Sequence, residues 1–185
     1  MLYRAAVEQV PTEAYEIPLS KAEIVKEGKD VTIVSYGQPM YLCFSAIAAA
    51  EQDLGISVEL LDLRTLYPWD RETVLKSVQK TGRAIVVHES MINAGIGAEI
   101  AASIQEGAFL HLEAPIQRLG GWATHMGLTY GSLPFLFNSP PSPDLSKSLQ
   151  TCLGKLRPQI RLKSPLLAQL SQWLTWISFR EVHPT

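Results

Sequence analysis

Three short runs constrain this chain more than anything else in it: VTIVSYG at 31–37, SVELLDLRT at 57–65 and RAIVVHE at 83–89. They are rich in β-branched and aliphatic residues, the pattern of strands covered on both faces. Stretches with helical spacing follow each of them. Met40, Phe44, Ile47 and Ala48 recur as an inward stripe along 40–54, with Gln52 and Asp53 outside and Gly55 as the stop. Asp70 is placed to cap a helix carrying Val74, Leu75 and Val78, which ends at Gly82. GIGAEIAASIQEGA (95–108) turns Ile96, Ile100, Ala101 and Ile104 to one side, and PIQRLGG offers a fourth strand. Such alternation demands parallel strands joined by right-handed crossovers. The expected fold is α/β: a three-layer, open, mostly parallel sheet with helices on both faces.

Either side of this block the text changes. Residues 1–30, with two prolines and charged punctuation in VPTEAYEIPLSKAEIVKEGKD, read as a linker lying across the surface of a 31–130 domain. Residues 1–130 hold 10 Lys and Arg against 16 Asp and Glu, whereas 131–185 hold 6 against 2, so two composition regimes meet near residue 130. GSLPFLFNSPPSPDLSKS carries four prolines among serines, as linkers and disordered segments do. LLAQLSQWLTWISF (166–179) is apolar without a polar face or caps; it suits an unstructured extension, and less well a membrane-surface contact. The expectation for 131–185 is a divergent tail, disordered or non-native.

An apolar content of 46% supports a core, and a net charge of -2 lacks the basic excess that nucleic-acid binding needs. Cys43 and Cys152 are far apart with no metal-ligand spacing, and Cys43 sits in an apolar helical run as a buried thiol would. The four histidines are scattered, which gives a zinc site little support. No apolar run reaches the roughly 18–20 residues of a membrane span. The N-terminus matches neither a signal nor a transit peptide, so the chain by itself reads as soluble and intracellular.

The stretch most like a site is VVHESMINAGIGAEIAASI, residues 86–104. A helix N-terminus behind glycines can attract an anion. Yet AGIG lacks the third glycine of G-x-G-x-x-G, and strand-to-helix turns use glycine for φ and for close packing as well. His88 and Glu89 are adjacent on a strand, so they point to opposite faces and form no acid–base pair. Asp62 and Arg64 share a strand face, which suggests a structural ion pair or a contact with a neighbouring subunit. Neither a Ser-His-Asp set nor a phosphate-binding loop is legible.

LYRAAVEQVP, YEIPLSKAEIVKEGKDVTIVSYG, VELLDLRTLYPWDRETVLKSVQKTGRAIVVHE, GIGAEIAASIQE and HLEAPIQRLGGW together resemble the beta subunit of the E1 component of 2-oxoacid dehydrogenases over residues 2–122. LYRAA, EAPI-R and the DLRT…PWD pair look most like the branched-chain (2-oxoisovalerate) enzyme, with the pyruvate enzyme as the alternative. The resemblance implies a transketolase C-terminal-like domain serving assembly of an α2β2 heterotetramer with E1 alpha and a second beta subunit, and docking to the E2 acyltransferase core. It implies that the domain holding the pyrimidine end of thiamine diphosphate and its activating glutamate precedes this one, and that the diphosphate and Mg belong to the alpha subunit. Catalytic, cofactor-binding and metal residues are accordingly expected to be none here. A mitochondrial matrix location is implied, or a cytoplasmic one in bacteria. A non-catalytic partner-binding module is the second reading, and a nucleotide-binding protein using the 94–97 turn a third. The family has a double glycine where Ala94-Gly95 stands, an Asp-Thr-Pro-like stretch where WATHM stands, and a short C-terminal helix after the region of Tyr130. The abrupt shift in charge and proline content near residue 130 motivates the expectation of a truncated or mispredicted gene product, with 131–185 arising from a retained intron or frame change and that helix lost.

Overall fold

The computed structural model describes residues 9–121 and 149–156. Strands β1 (Glu23–Lys26), β2 (Val31–Ser35), β3 (Val58–Asp62), β4 (Ala84–Met91) and β5 (Gln117–Gly121) form one sheet in the order β1-β3-β2-β4-β5. Helices α1 (Pro39–Leu54), α2 (Arg71–Thr81) and α3 (Ile96–Ala108) connect β2 through β5, and residues 149–156 form a further helix, α4. β2 pairs in parallel with β3 and β4, and β4 with β5; only β1 is antiparallel, to β3.

Side chains alternate across the strands, and the alternation divides the core in two. Val31, Ile33, Val58, Leu60, Ile85 and Val87 face α1 and α4, while Val34, Leu61 and Val86 face α2 and α3. That is the expected three-layer sheet with helices on both faces.

Three expectations need correction. Along α1 the buried stripe is Met40, Cys43, Ala46, Ile47 and Ala50, while Phe44 and Ala48 face outward. Residues 39–50 carry no charge, so the sequence leaves the inward stripe undetermined and contact with the sheet selects it. The supposed linker 1–30 contributes β1 to the sheet. A short connection reverses the chain after Lys26, which forces β1 to run antiparallel to the rest. Gly28 makes this possible, because a Cβ there would lie 2.2 Å from the Glu59 backbone nitrogen.

The third correction concerns residues 149–156, assigned to a non-native tail. They are helical, and Leu149, Leu153 and Leu156 are buried in the core cluster that α1 joins. Their spacing of four and three places them on one helix face, and the sheet beside α1 supplies the apolar surface they cover. The remainder of 131–185, including 166–179, lies outside the described residues.

A buried polar network ties the amino-terminal ends of the strands to α2. Glu59, fully enclosed in β3, accepts hydrogen bonds from the Ser77 hydroxyl and the Gly28 amide and pairs with Lys80. Thr32 Oγ1 lies 2.7 Å from both the Ser77 and the Thr81 hydroxyl. Arg83, also buried, pairs with Glu113 at 2.6 Å. These charges are paired where they enter the interior, as low dielectric requires.

Candidate functional site

β4 runs past its parallel neighbour β2 and delivers His88, Glu89 and Ser90 to the carboxyl edge of the sheet, where the turn to α3 begins. In open α/β sheets this edge is where ligands bind. Here it is filled by protein. His88 is 0% exposed, and its ring is enclosed by three glycines. A Cβ on Gly97 would lie 2.3 Å from His88 Cδ2, one on Gly120 2.6 Å from Cε1, and one on Gly95 3.2 Å from Cε1. The Ser90 hydroxyl and His88 Nδ1 stand 2.9 Å apart, and Nε2 is buried without a hydrogen-bond partner among the described residues.

Burial depresses the His88 pKa below the ordinary imidazole value; a hydrogen bond involving Ser90 opposes this, and the Arg118 charge adds to the lowering. The ring is therefore neutral at neutral pH. A general base must reach a reacting atom, and a ring sealed by Gly97 and Gly120 reaches none. Glu89 is exposed on the opposite face, so the two residues are separated as strand geometry requires.

The glycines of GIG thus accommodate an imidazole rather than cradle a phosphate. Ala94 completes the turn with φ of 56°, in the left-handed region. Arg118 of β5 donates to the Ile92 carbonyl at 3.0 Å, and the Ile92 amide donates to Gly121 O at 2.8 Å, so β5 holds the turn in place.

The other candidates resolve as structure. Strand β3 ends at Asp62, and its carboxylate accepts from the Arg64 amide at 3.2 Å, whereas the Arg64 guanidinium pairs with Glu23 on β1. The anticipated Asp62–Arg64 ion pair is replaced by a turn contact, because Arg64 lies beyond the strand with φ of 54°. Asp70 caps α2 as expected, accepting from the Thr73 amide at 3.1 Å and its hydroxyl at 2.8 Å. A third bond, from the Ala22 amide at 3.1 Å, fastens the segment before β1 to that helix. Burial works against ionisation of Asp70, but the Thr73 and Ala22 hydrogen bonds and the Lys21 charge outweigh it and hold the carboxyl below its ordinary value. Burial pushes the Cys43 thiol up to about 11, against a smaller opposing effect of the Ser35 hydroxyl, which leaves it protonated and unreactive.

Sequence reasoning missed two features. The charged residue inside the apolar run VELLD was a legible sign of the buried Glu59 network. His88 in company with GIG and LGG was a sign of the cage, but only the three-dimensional path of β5 brings Gly120 to the ring.

Thiamine diphosphate, which the resemblance implies for the complete enzyme, does not fit this edge. Among the described residues, the room left by Gly95, Gly97 and Gly120 is occupied by the imidazole. Among the described residues there is also no group of three His, Cys, Asp or Glu side chains arranged to hold a metal. No helix among them is long and apolar enough to cross a membrane.

Comparison with known proteins places these observations. The chain is 60% identical over 156 residues to the 2-oxoisovalerate dehydrogenase subunit beta, mitochondrial, of Chaetomium thermophilum, covering 83% of this chain and 32% of that protein. It is 51% identical over 151 residues to the corresponding Dictyostelium discoideum subunit, covering 82% and 39%. The pyruvate dehydrogenase E1 component subunit beta of Staphylococcus epidermidis is a weaker match, 49% identical over 118 residues and covering 64% and 36%. The chain thus spans roughly a third of the length of the relatives it matches, in their C-terminal part. Among solved structures, a split-gene transketolase described as an inactive beta4 tetramer superposes with a TM-score of 0.65 at 23% identity, covering 84% of this chain and 48% of that one. That likeness shows the fold. The family model of the transketolase C-terminal domain matches residues 20–134, and the chain belongs to that family.

Proposed function

We propose that the chain is the transketolase-like C-terminal part of the E1 beta subunit of a branched-chain 2-oxoacid dehydrogenase, and that it serves assembly rather than chemistry. The observation carrying this reading is the high identity to 2-oxoisovalerate dehydrogenase beta subunits, confined to about a third of their length. Its partners on this reading are E1 alpha and a second beta subunit in an α2β2 particle, together with the E2 acyltransferase core. The mitochondrial names of its relatives support a matrix location.

In the complete enzyme, thiamine diphosphate supplies the decarboxylation chemistry. No step of it is assigned to a residue of this chain, whose most site-like histidine is sealed. The pyruvate enzyme is the alternative parent, supported by the Staphylococcus match. A free-standing nucleotide-binding protein is disfavoured by the occupied glycine turn at 95–97.

The test is size-exclusion chromatography of the purified chain with an E1 alpha subunit of the family, followed by assay on 2-oxoisovalerate with thiamine diphosphate. Co-elution without turnover is expected. Turnover by the mixture would show that this chain carries catalytic residues after all, and failure to co-elute would remove the assembly role.

A further inference from the structure

About half of the large apolar side chains left in solvent among the described residues lie along one edge; Tyr41 and Phe44 on α1, Met91 at the end of β4, and Phe109 and Leu110 after α3 are elsewhere. Tyr15, Ile17 and Leu19 stand at alternate positions of the segment before β1, and Leu19 is 77% exposed. Ile24 and Val25 follow on β1, adjacent residues that are both exposed, so neither face of this edge strand is covered. Tyr67, 94% exposed, projects from the loop after β3.

Polar contacts join the segment before β1, and β1 itself, to the loop after β3. The Ser20 amide donates to Thr65 Oγ1 at 3.3 Å, the Ala22 amide to Asp70 Oδ2 at 3.1 Å, and Glu23 pairs with Arg64. The loop carrying Tyr67 is thereby fixed against the segment carrying Leu19. Contiguous exposed apolar area of this kind marks an interaction site in soluble proteins.

We propose that this edge is an interdomain docking surface whose occupant is the domain that the longer relatives carry ahead of this one. The chain matches the C-terminal part of those relatives and spans only 32% and 39% of the length of the Chaetomium and Dictyostelium subunits. A preceding domain would enter through residues 9–19, so the exposed patch is continuous with the covalent junction. Interfaces between domains of one chain are moderate in size and mixed in polarity, and Glu13 and Glu16 interleave with the apolar residues here. The inference rests on family membership and needs no E1 alpha subunit, so its failure would leave the assembly reading standing.

The experiment compares hydrogen exchange in the 185-residue chain with that in a fusion placing the preceding part of the Chaetomium subunit before Met1. Exchange over 14–26 and 64–67 is expected to slow about tenfold or more in the fusion. Substituting Tyr15→Ser, Ile17→Ser and Leu19→Ser together in the fusion should return the 64–67 rates to those of the isolated chain. These side chains are exposed, so the variant keeps the fold. Phe109→Ser with Leu110→Ser, exposed at the far end of α3, should change nothing at this edge. Unchanged exchange in the fusion, or protection that survives the triple substitution, overturns the proposal. So does sedimentation of the isolated chain as a dimer that the triple substitution dissolves, which would give the surface to a second copy.

Discussion

Position 94 holds an alanine at φ of 56°, a conformation that L-residues avoid by about 1–2 kcal/mol. Ala94→Gly should raise stability by about 0.5–1 kcal/mol, read as a higher urea midpoint with an unchanged m-value. Three residues on, the sign reverses. Gly97→Ala drives a methyl into the imidazole and should cost about 1–3 kcal/mol, and much of that loss should vanish in a His88→Ala background. Additive losses in the two backgrounds would dissociate the glycine from the ring. The depressed His88 pKa sets a pH dependence as well. The unfolded chain binds the proton more readily than the folded one, so stability is fully present above the ordinary imidazole value of 6.5 and falls as the pH drops below it. Asp70 acts in a separate, more acidic window, losing its contribution as the pH falls below the ordinary carboxylate value of 3.8. Denaturation between about pH 7 and 5 should show the first slope, and His88→Asn should flatten it. At this scale the sequence made the negative result legible, since neighbours on a strand cannot pair. It concealed the cage, because Gly120 reaches His88 only through the pairing of β5 with β4.

Elements whose signals were local are the ones the sequence reveals. Asp70 with Val74 and Val78 announces α2, and VTIVS and AIVV announce central strands because burial on both faces leaves few alternatives. β1 was obscured because EIVK is short and flanked by charges, and its place beside β3 is decided by the backbone approach at Gly28. α4 was hidden by the proline-rich text before it, although its leucines repeat at helical spacing. Leu153→Ala should lower stability by about 2–4 kcal/mol, while Lys155→Ala, exposed on the same helix, should change it by less than about 0.5 kcal/mol. Equal melting of the two variants would mean that α4 does not close the core in solution.

At the scale of the molecule, the described residues combine a three-layer core with an exposed apolar edge, and their balance favours a domain that folds alone without great reserve. Its melting midpoint should fall within the mesophilic range of about 45–65 °C. A midpoint above about 90 °C would contradict that balance. The docking of α4 adds one more consequence. Leu149, Leu153 and Leu156 cover the strip of sheet beside α1 that no other described element closes. Without those three leucines the strip beside α1 would be bare apolar surface, so a variant with all three changed to serine should become adhesive and aggregate where the parent chain stays dispersed.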